Sequence, residues 1–344
     1  MDLNGKKILI IRLSALGDVI RTVPSVLGLV KAFPNSDFTW LVESSSAGLF
    51  PGLKSLKTII IDRNKMRSKN PFVVLKEFKR ILSDIRSKNF EISIDFHCIL
   101  KSAILPFLAG IPERAGYMPK GSKEGAHLFY NHQVPLKNHR ISRYEKNVTL
   151  ARFFSDQINV AEVKIDLDPS IQNRIMKVMQ EKPIILIPGT SMHGRNKQWP
   201  AESWAILFKN LVERYPVKFV FGPADDHYRE QLQKHLGMEP PALAPLSIPQ
   251  LGVALQQARL VVVCDTGPMH LASVLQVPLL ALMGPSDPVI AQPLLEEDGN
   301  PKSSMIVPEV PCSPCRNRSC EELICQTFTT PALVFDRIAA ACDG

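Results

Sequence analysis

Two short loops carry the residues best suited to chemistry, and they read alike. The first runs Arg12-Leu-Ser-Ala-Leu-Gly17-Asp18, and the second runs Cys264-Asp265-Thr266-Gly267-Pro268-Met269-His270. Each follows an apolar, partly β-branched run and precedes a segment with helical spacing. Each loop therefore sits at the carboxyl end of a buried strand, where open α/β sheets place their ligands. Gly17 permits a tight turn beside a ligand. Asp18 has two readings: a helix N-cap, a frequent task for aspartate, or a general base taking a proton from a substrate hydroxyl.

In the second loop Pro268 stands at the start of a helix, where its missing N–H costs nothing. The N–H groups of Thr266 and Gly267 would then face an anion. The plainer reading is an Asp cap, a Gly turn and a buried histidine. Neighbouring strands in this half end in related loops: Gly189-Thr190-Ser191 through Lys197-Gln-Trp199, then Gly222-Pro-Ala-Asp225-Asp226, then Gly284-Pro-Ser286-Asp287. Glycine, hydroxyl and lysine together give a diphosphate backbone room, hydrogen-bond donors and a point charge. A nucleotide diphosphate is the expected ligand. There is neither a Walker lysine motif nor a Gly-x-Gly-x-x-Gly fingerprint, which argues against an ATPase or a dinucleotide oxidoreductase.

The elements that must hold these loops are set by periodicity. Apolar runs at 7–13, 38–42, 57–61 and 92–96 alternate with helical spacing at 18–32, 71–88 and 100–109. This rhythm implies a parallel sheet. The stretch 110–145 reads as a long irregular connection. A second series predicts strands at 184–188, 217–222, 260–264 and 278–283, and helices at 201–214, 225–236, 249–258 and 268–276, after a linker near 166–182. The 344 residues exceed one ordinary core, and 45% hydrophobic content suffices for two. We expect an N-terminal domain over 1–170, a C-terminal domain over 171–330, facing each other across a cleft, and a last helix in 331–344 packing back on the first. No window approaches about 18 consecutive apolar residues. The opening residues show no signal-peptide pattern, so a cytoplasmic location and reduced cysteines are expected.

The formal charge of +8 is concentrated in the first half, at Arg63, Lys65, Arg67, Lys69, Lys76, Lys79, Arg80, Arg86 and Lys88. Singly each reads as a solvated side chain. Together they favour an anionic membrane surface or an acidic substrate. Nucleic acid is not an expected partner, because no recognition motif or aromatic interleaving accompanies the charge. Cys312, Cys315, Cys320 and Cys325 are spaced C-x2-C-x4-C-x4-C, compact enough to wrap one tetrahedral ion. A structural zinc or iron is one expectation there; free thiols or two disulfides are the others.

The order Ile-Arg12-Leu-Ser-Ala-Leu-Gly-Asp18-Val-Ile-Arg21-Thr-Val-Pro, Lys197-Gln-Trp-Pro, Asp265-Thr-Gly-Pro-Met-His270-Leu and Gly284-Pro-Ser-Asp-Pro resembles the lipopolysaccharide heptosyltransferases, glycosyltransferase family 9. The resemblance covers nearly the whole chain. It implies a GT-B fold of two Rossmann-like domains and inverting transfer of L-glycero-D-manno-heptose from ADP-heptose to the lipopolysaccharide inner core. It implies no cofactor for catalysis. The family's base matches Asp18, and its donor contacts match Thr190 or Ser191, Lys197, Asp225 or Asp226, Asp265, Thr266, Gly267 and His270. Leu100-Lys101-Ser-Ala and Leu128-Phe-Tyr-Asn131 are similar to the enzyme that adds the first heptose to Kdo2-lipid A. Arg63, Arg67 and Lys101 then become candidates for the acceptor's anionic groups. The cysteine-rich tail looks more like the second-heptose enzymes. Peripheral attachment to the inner membrane of a Gram-negative bacterium is the implied location.

Overall fold

The computed structural model describes residues 1–53, 55–159, 163–190, 192–294, 303–315, 317 and 319–343. The chain divides into two compact units, Met1–Asp166 and Leu167–Gly344. The expected boundary lay four residues later, at 170.

The first unit is a six-stranded parallel sheet with helices packed on it. Its elements are β1 (Lys7–Ile11), α1 (Leu16–Ala32), β2 (Asp37–Glu43), β3 (Lys57–Ile61), α2 (Arg63–Met66), α3 (Pro71–Ser87), β4 (Ile92–Asp95), α4 (Leu100–Ala109), β5 (Glu113–Tyr117), β6 (His132–Val134) and α5 (Arg143–Arg152). The strand order is β3-β2-β1-β4-β5-β6, the dinucleotide-domain order. β1 is apolar at Ile8 to Ile11 and fully buried there, as a strand covered on both faces must be. α1 contains Pro24, which an α-helix interior normally rejects, yet the helix runs on to Ala32. The stretch 110–145 is not one irregular connection: it holds β5 and β6. Their sequences, Glu-Arg-Ala-Gly-Tyr and His-Gln-Val, lack the apolar run that marks a central strand.

The second unit comprises α6 (Pro169–Val178), β7 (Ile184–Ile187), α7 (Ala201–Leu211), β8 (Val217–Phe219), α8 (Asp226–Leu236), α9 (Ile248–Gln256), β9 (Leu260–Cys264), α10 (Gly267–Val274), β10 (Leu279–Leu282), α11 (Pro288–Ala291), β11 (Ser303–Ile306), α12 (Ile324–Thr327) and α13 (Pro331–Asp343). Its parallel sheet has the order β11-β10-β9-β7-β8. The segment read as a linker contains α6, opened by Pro169 behind the capping side chain of Asp168. The last helix packs on α7 and β9 of its own unit, where Val334 and Ile338 are sealed into the core with Trp204, Leu211 and Val262. Burying each such side chain stabilises by roughly 1.5–3 kcal/mol. Among the described residues no helix is long and apolar enough to cross a membrane.

Strand order reverses once in each sheet, between β1 and β4 in the first and between β7 and β9 in the second. Loops leaving the carboxyl ends of neighbouring strands part there and open a crevice. Both loops singled out from the sequence leave such a point.

Candidate active site

In the first unit Asp18 lies in the opening turn of α1, whose N-cap is Ala15 with no capping side chain. The cap reading therefore fails. The Asp18 carboxylate instead faces two guanidinium groups, Arg12 Nη2 at 2.6 Å and Arg21 Nη2 at 2.5 Å. Arg12 also donates to the Phe96 carbonyl at 2.7 Å, which ties it to the end of β4. Asn147 of α5 donates to the Arg21 carbonyl at 3.0 Å and to Thr22 Oγ1 at 3.1 Å, fixing that turn of α1. Burial alone would raise the Asp18 carboxyl. Arg12, Arg21 and Arg143 outweigh it and hold Asp18 well below the usual carboxylate range. The group is ionised near neutral pH and still 29% exposed, so it is open to a substrate hydroxyl.

The loop after β4 completes this site, and the sequence reading missed it. Asp95 is fully buried and accepts from the N–H of His97 at 2.8 Å and of Cys98 at 3.0 Å, from Ser102 Oγ at 2.7 Å and from the Tyr130 hydroxyl at 2.7 Å. Burial raises this carboxyl even so. The four donors lock the turn that presents His97. His97 Nδ1 accepts the Leu13 N–H at 3.3 Å, so the neutral ring carries its proton on Nε2. Burial, reinforced by Arg12 and Lys101, pushes His97 down to about 3. The imidazole stays neutral, with an N–H at Nε2. Asp95 and His97 sit at the carboxyl end of a buried strand, the same signal that marked the loop after β1, and applying it to β4 would have found them.

Of the three acceptor candidates, two converge. Glu43, at the end of β2, takes Lys101 Nζ at 2.7 Å and Arg63 Nε at 3.7 Å. Arg67 caps the C-terminus of α2, its side chain exposed and outside this cluster. Glu43 carried no signal in the sequence, since its role depends on two residues 20 and 58 positions away.

In the second unit Lys197, Asp265 and Ser286 come together from three loops. Asp265 is buried, and its Oδ2 takes Lys197 Nζ at 2.6 Å and the Ser286 hydroxyl at 2.5 Å; His270 Nε2 lies 4.0 Å from Oδ1. Burial works to raise Asp265, but Lys197, His270 and Ser286 prevail and hold it below the usual range. Thr266 is the N-cap of α10, Gly267 its first residue and Pro268 its second. The Thr266 hydroxyl donates back to the Cys264 carbonyl at 3.2 Å, and no side chain caps the helix. With no side chain capping them, the first-turn N–H groups of α10 have the chemistry to take an anion. Thr190 Oγ1 donates to the Gly194 carbonyl at 2.9 Å, shaping the loop that carries Lys197. Ser191 lies outside the described residues.

The two acidic candidates separate. Asp225 is buried and accepts the Gly222 N–H at 2.6 Å; burial raises its carboxyl. It also fills the space a side chain at Gly189 would need, since a Cβ there would meet Asp225 Oδ2 at 1.8 Å. Asp225 thus locks two site loops together, while Asp226 is exposed in the first turn of α8.

The cysteine-rich segment braces the same loops. Ser313 Oγ donates to the Gly284 carbonyl at 3.2 Å, the Cys315 N–H to the Pro285 carbonyl at 2.8 Å, and Gln326 Nε2 to the Asn196 carbonyl at 3.0 Å. Cys312, Cys315, Cys320 and Cys325 are free thiols. Cys325 is pushed up by burial and by the other three nearby. Among the described residues no three His, Cys, Asp or Glu side chains are grouped to hold a metal ion.

Residues 78–325 match the family model described as glycosyltransferase family 9 (heptosyltransferase). Lipopolysaccharide heptosyltransferase 1 of Pseudomonas aeruginosa is 26% identical over 324 residues, covering 91% of this chain and 87% of that protein. A family 9 glycosyl transferase structure from Veillonella parvula superposes with a TM-score of 0.80 at 18% identity, over 99% of this chain and 98% of the other. The heptosyltransferase WaaC of E. coli, solved with ADP, gives 0.74 at 21% identity over 97% and 99%. The likeness places the two Rossmann-like units in the GT-B class. Because the family model matches residues 78–325, well over half of the chain, the chain belongs to glycosyltransferase family 9, the heptosyltransferases.

Proposed function

We propose that the chain transfers L-glycero-D-manno-heptose from ADP-heptose, with inversion, to Kdo2-lipid A in the inner core of lipopolysaccharide, with Asp18 as general base. The setting would be the inner face of the cytoplasmic membrane of a Gram-negative bacterium. The observation that carries this reading is the Asp18 carboxylate: ionised, part-exposed, and set among arginines at the strand-order reversal of its sheet. An acceptor bearing carboxylates and phosphates has cations to meet it there, at Arg12, Arg21, Arg63 and Lys101.

Asp18 would take the acceptor hydroxyl proton as that oxygen bonds to the anomeric carbon and the bond to ADP breaks on the opposite face, through an oxocarbenium-like state. The leaving diphosphate gains charge as this bond lengthens. Lys197 and the N–H groups at the start of α10 are the groups available to stabilise it. Asp265 holds Lys197 ready and passes it to the diphosphate. Two further features support the reading: the heptosyltransferase 1 match extends over 91% of the chain, and an E. coli relative of the same fold was solved with ADP.

The test is ADP release and product mass with ADP-heptose and either Kdo2-lipid A or its monoheptosyl product, for wild type and Asp18→Asn. Transfer to Kdo2-lipid A, lost about a hundredfold or more in the variant, is the expected result. Transfer to the monoheptosyl acceptor alone would assign the second heptose instead. Donor binding without transfer to either would refute the acceptor.

A further inference from the structure

The outer face of α3 carries an apolar pair ringed by cations. The helix starts at Pro71, with the Asn70 side chain accepting the Phe72 N–H, and buries Glu77, Ile81 and Ile85 toward the sheet. The opposite face repeats at helical spacing through Phe72, Leu75, Lys76 and Lys79. Phe72 is 80% exposed and Leu75 49%. Lys76 and Lys79 are exposed beside them, and Arg67 and Lys69 precede them in the incoming turn.

The neighbouring cations are spoken for: Lys65 meets Asp62 and Glu77, and Arg80 meets Glu77 and Asp84. By contrast Arg67, Lys69, Lys76 and Lys79 form no salt bridge among the described residues. Scattered exposed apolar residues need no explanation, but an aromatic and a leucine on one helix face, within four uncompensated cations, have the make-up of an interfacial helix. A second copy of the chain fits poorly, because a two-fold contact would set these cations against themselves.

We propose that this face of α3 docks on an anionic lipid surface, Phe72 and Leu75 entering the headgroup boundary while Arg67, Lys69, Lys76 and Lys79 meet lipid phosphates. α2, which carries Arg63, packs on α3, so docking brings the Arg63–Lys101 cluster near the surface that would hold a lipid-borne acceptor. That last link rests on the proposed function; the docking needs no acceptor.

The test is co-sedimentation of the full chain with vesicles lacking any acceptor, containing phosphatidylglycerol or only phosphatidylcholine, at low and high salt. Wild type should bind the anionic vesicles, and salt should weaken the binding. Lys76→Gln with Lys79→Gln should cost about fivefold per charge at low salt. Phe72→Ser with Leu75→Ser should cost about tenfold or more at either salt, with melting temperature and transfer to a water-soluble acceptor unchanged. Absent binding, equal binding to both vesicle types, variants that bind like wild type, or a wild-type dimer that the Phe72/Leu75 variant loses would each overturn the proposal. Vesicle binding without heptosyl transfer would sink the proposed function and leave the docking standing.

Discussion

Replacing Arg21 with Gln should make Asp18 a stronger base and a less stable anion. In the resting enzyme two guanidinium groups touch the Asp18 carboxylate at 2.6 and 2.5 Å, and Arg143 adds a third, more distant charge. A guanidinium in contact lowers a carboxylate by about 1–3 units, and because Asp18 is 29% exposed the lower part of that range applies, about 1–2 units. Arg21→Gln should therefore raise the acid limb of the kcat/KM profile by that amount. The sign is fixed: losing a cation favours the protonated form, so activity falls at a higher pH than in wild type. Above the limb, the stronger base should raise acceptor-independent ADP release by water about 3- to 10-fold. The same pair contributes to folding stability above the unfolded carboxylate value, a contribution lost as pH falls toward the depressed folded one. The variant should thus melt lower than wild type at pH 7, and the gap should narrow in acid. Asp18→Asn in the Arg21→Gln background should abolish the extra hydrolysis. An unmoved acid limb together with unmoved hydrolysis would show that the arginines do not set the basicity of Asp18.

The packing sets three further outcomes. Gly189→Ala should cost about 1–3 kcal/mol of stability or displace the loop that carries Lys197, because its Cβ would meet the buried Asp225 carboxylate at 1.8 Å; thermal melting and ADP titration would show it. Lys197→Ala should weaken ADP binding about tenfold or more and lower stability by about 1–3 kcal/mol, since it leaves Asp265 buried beside only Ser286 and His270. Unchanged ADP affinity would remove Lys197 from the donor site. Asp95→Asn should destabilise by about 2 kcal/mol or more, because an amide cannot accept from all four of its donors; calorimetry at neutral pH would measure it.

The sequence revealed elements that carry their own periodicity and hid those that borrow stability from neighbours. β1 to β4 and β7 to β10 are apolar enough to be read at once, and their ends fell within a few residues of expectation. β5, β6 and β11 are short and partly polar. They become strands because β4, β5 and β10 present free edges to pair with, which no local pattern reports. The site divides in the same way. Asp18, Lys197 and Asp265 stood out because glycine-bearing turns at strand ends announce a ligand. Asp95, His97 and Glu43 act through partners far along the chain: Tyr130 lies 35 residues beyond Asp95, and Lys101 58 beyond Glu43.

The charges of both units share one arrangement. Asp18 occupies Arg12 and Arg21, Glu43 occupies Lys101 and Arg63, and Asp265 occupies Lys197. Each of these five cations is thus already held by an internal carboxylate that fixes its side chain in place. A free lysine would lose up to about 2 kcal/mol of rotamer freedom on taking a phosphate, and here folding has already imposed much of that loss. The substrate must still displace the carboxylate, so binding becomes an exchange of anions rather than a neutralisation. At Asp265 the exchange leaves a buried carboxylate with Ser286 and His270 to hold it. At Asp18 it would free the proposed base, because an acceptor anion that draws Arg12 and Arg21 away would leave the carboxylate more basic at the moment a hydroxyl arrives.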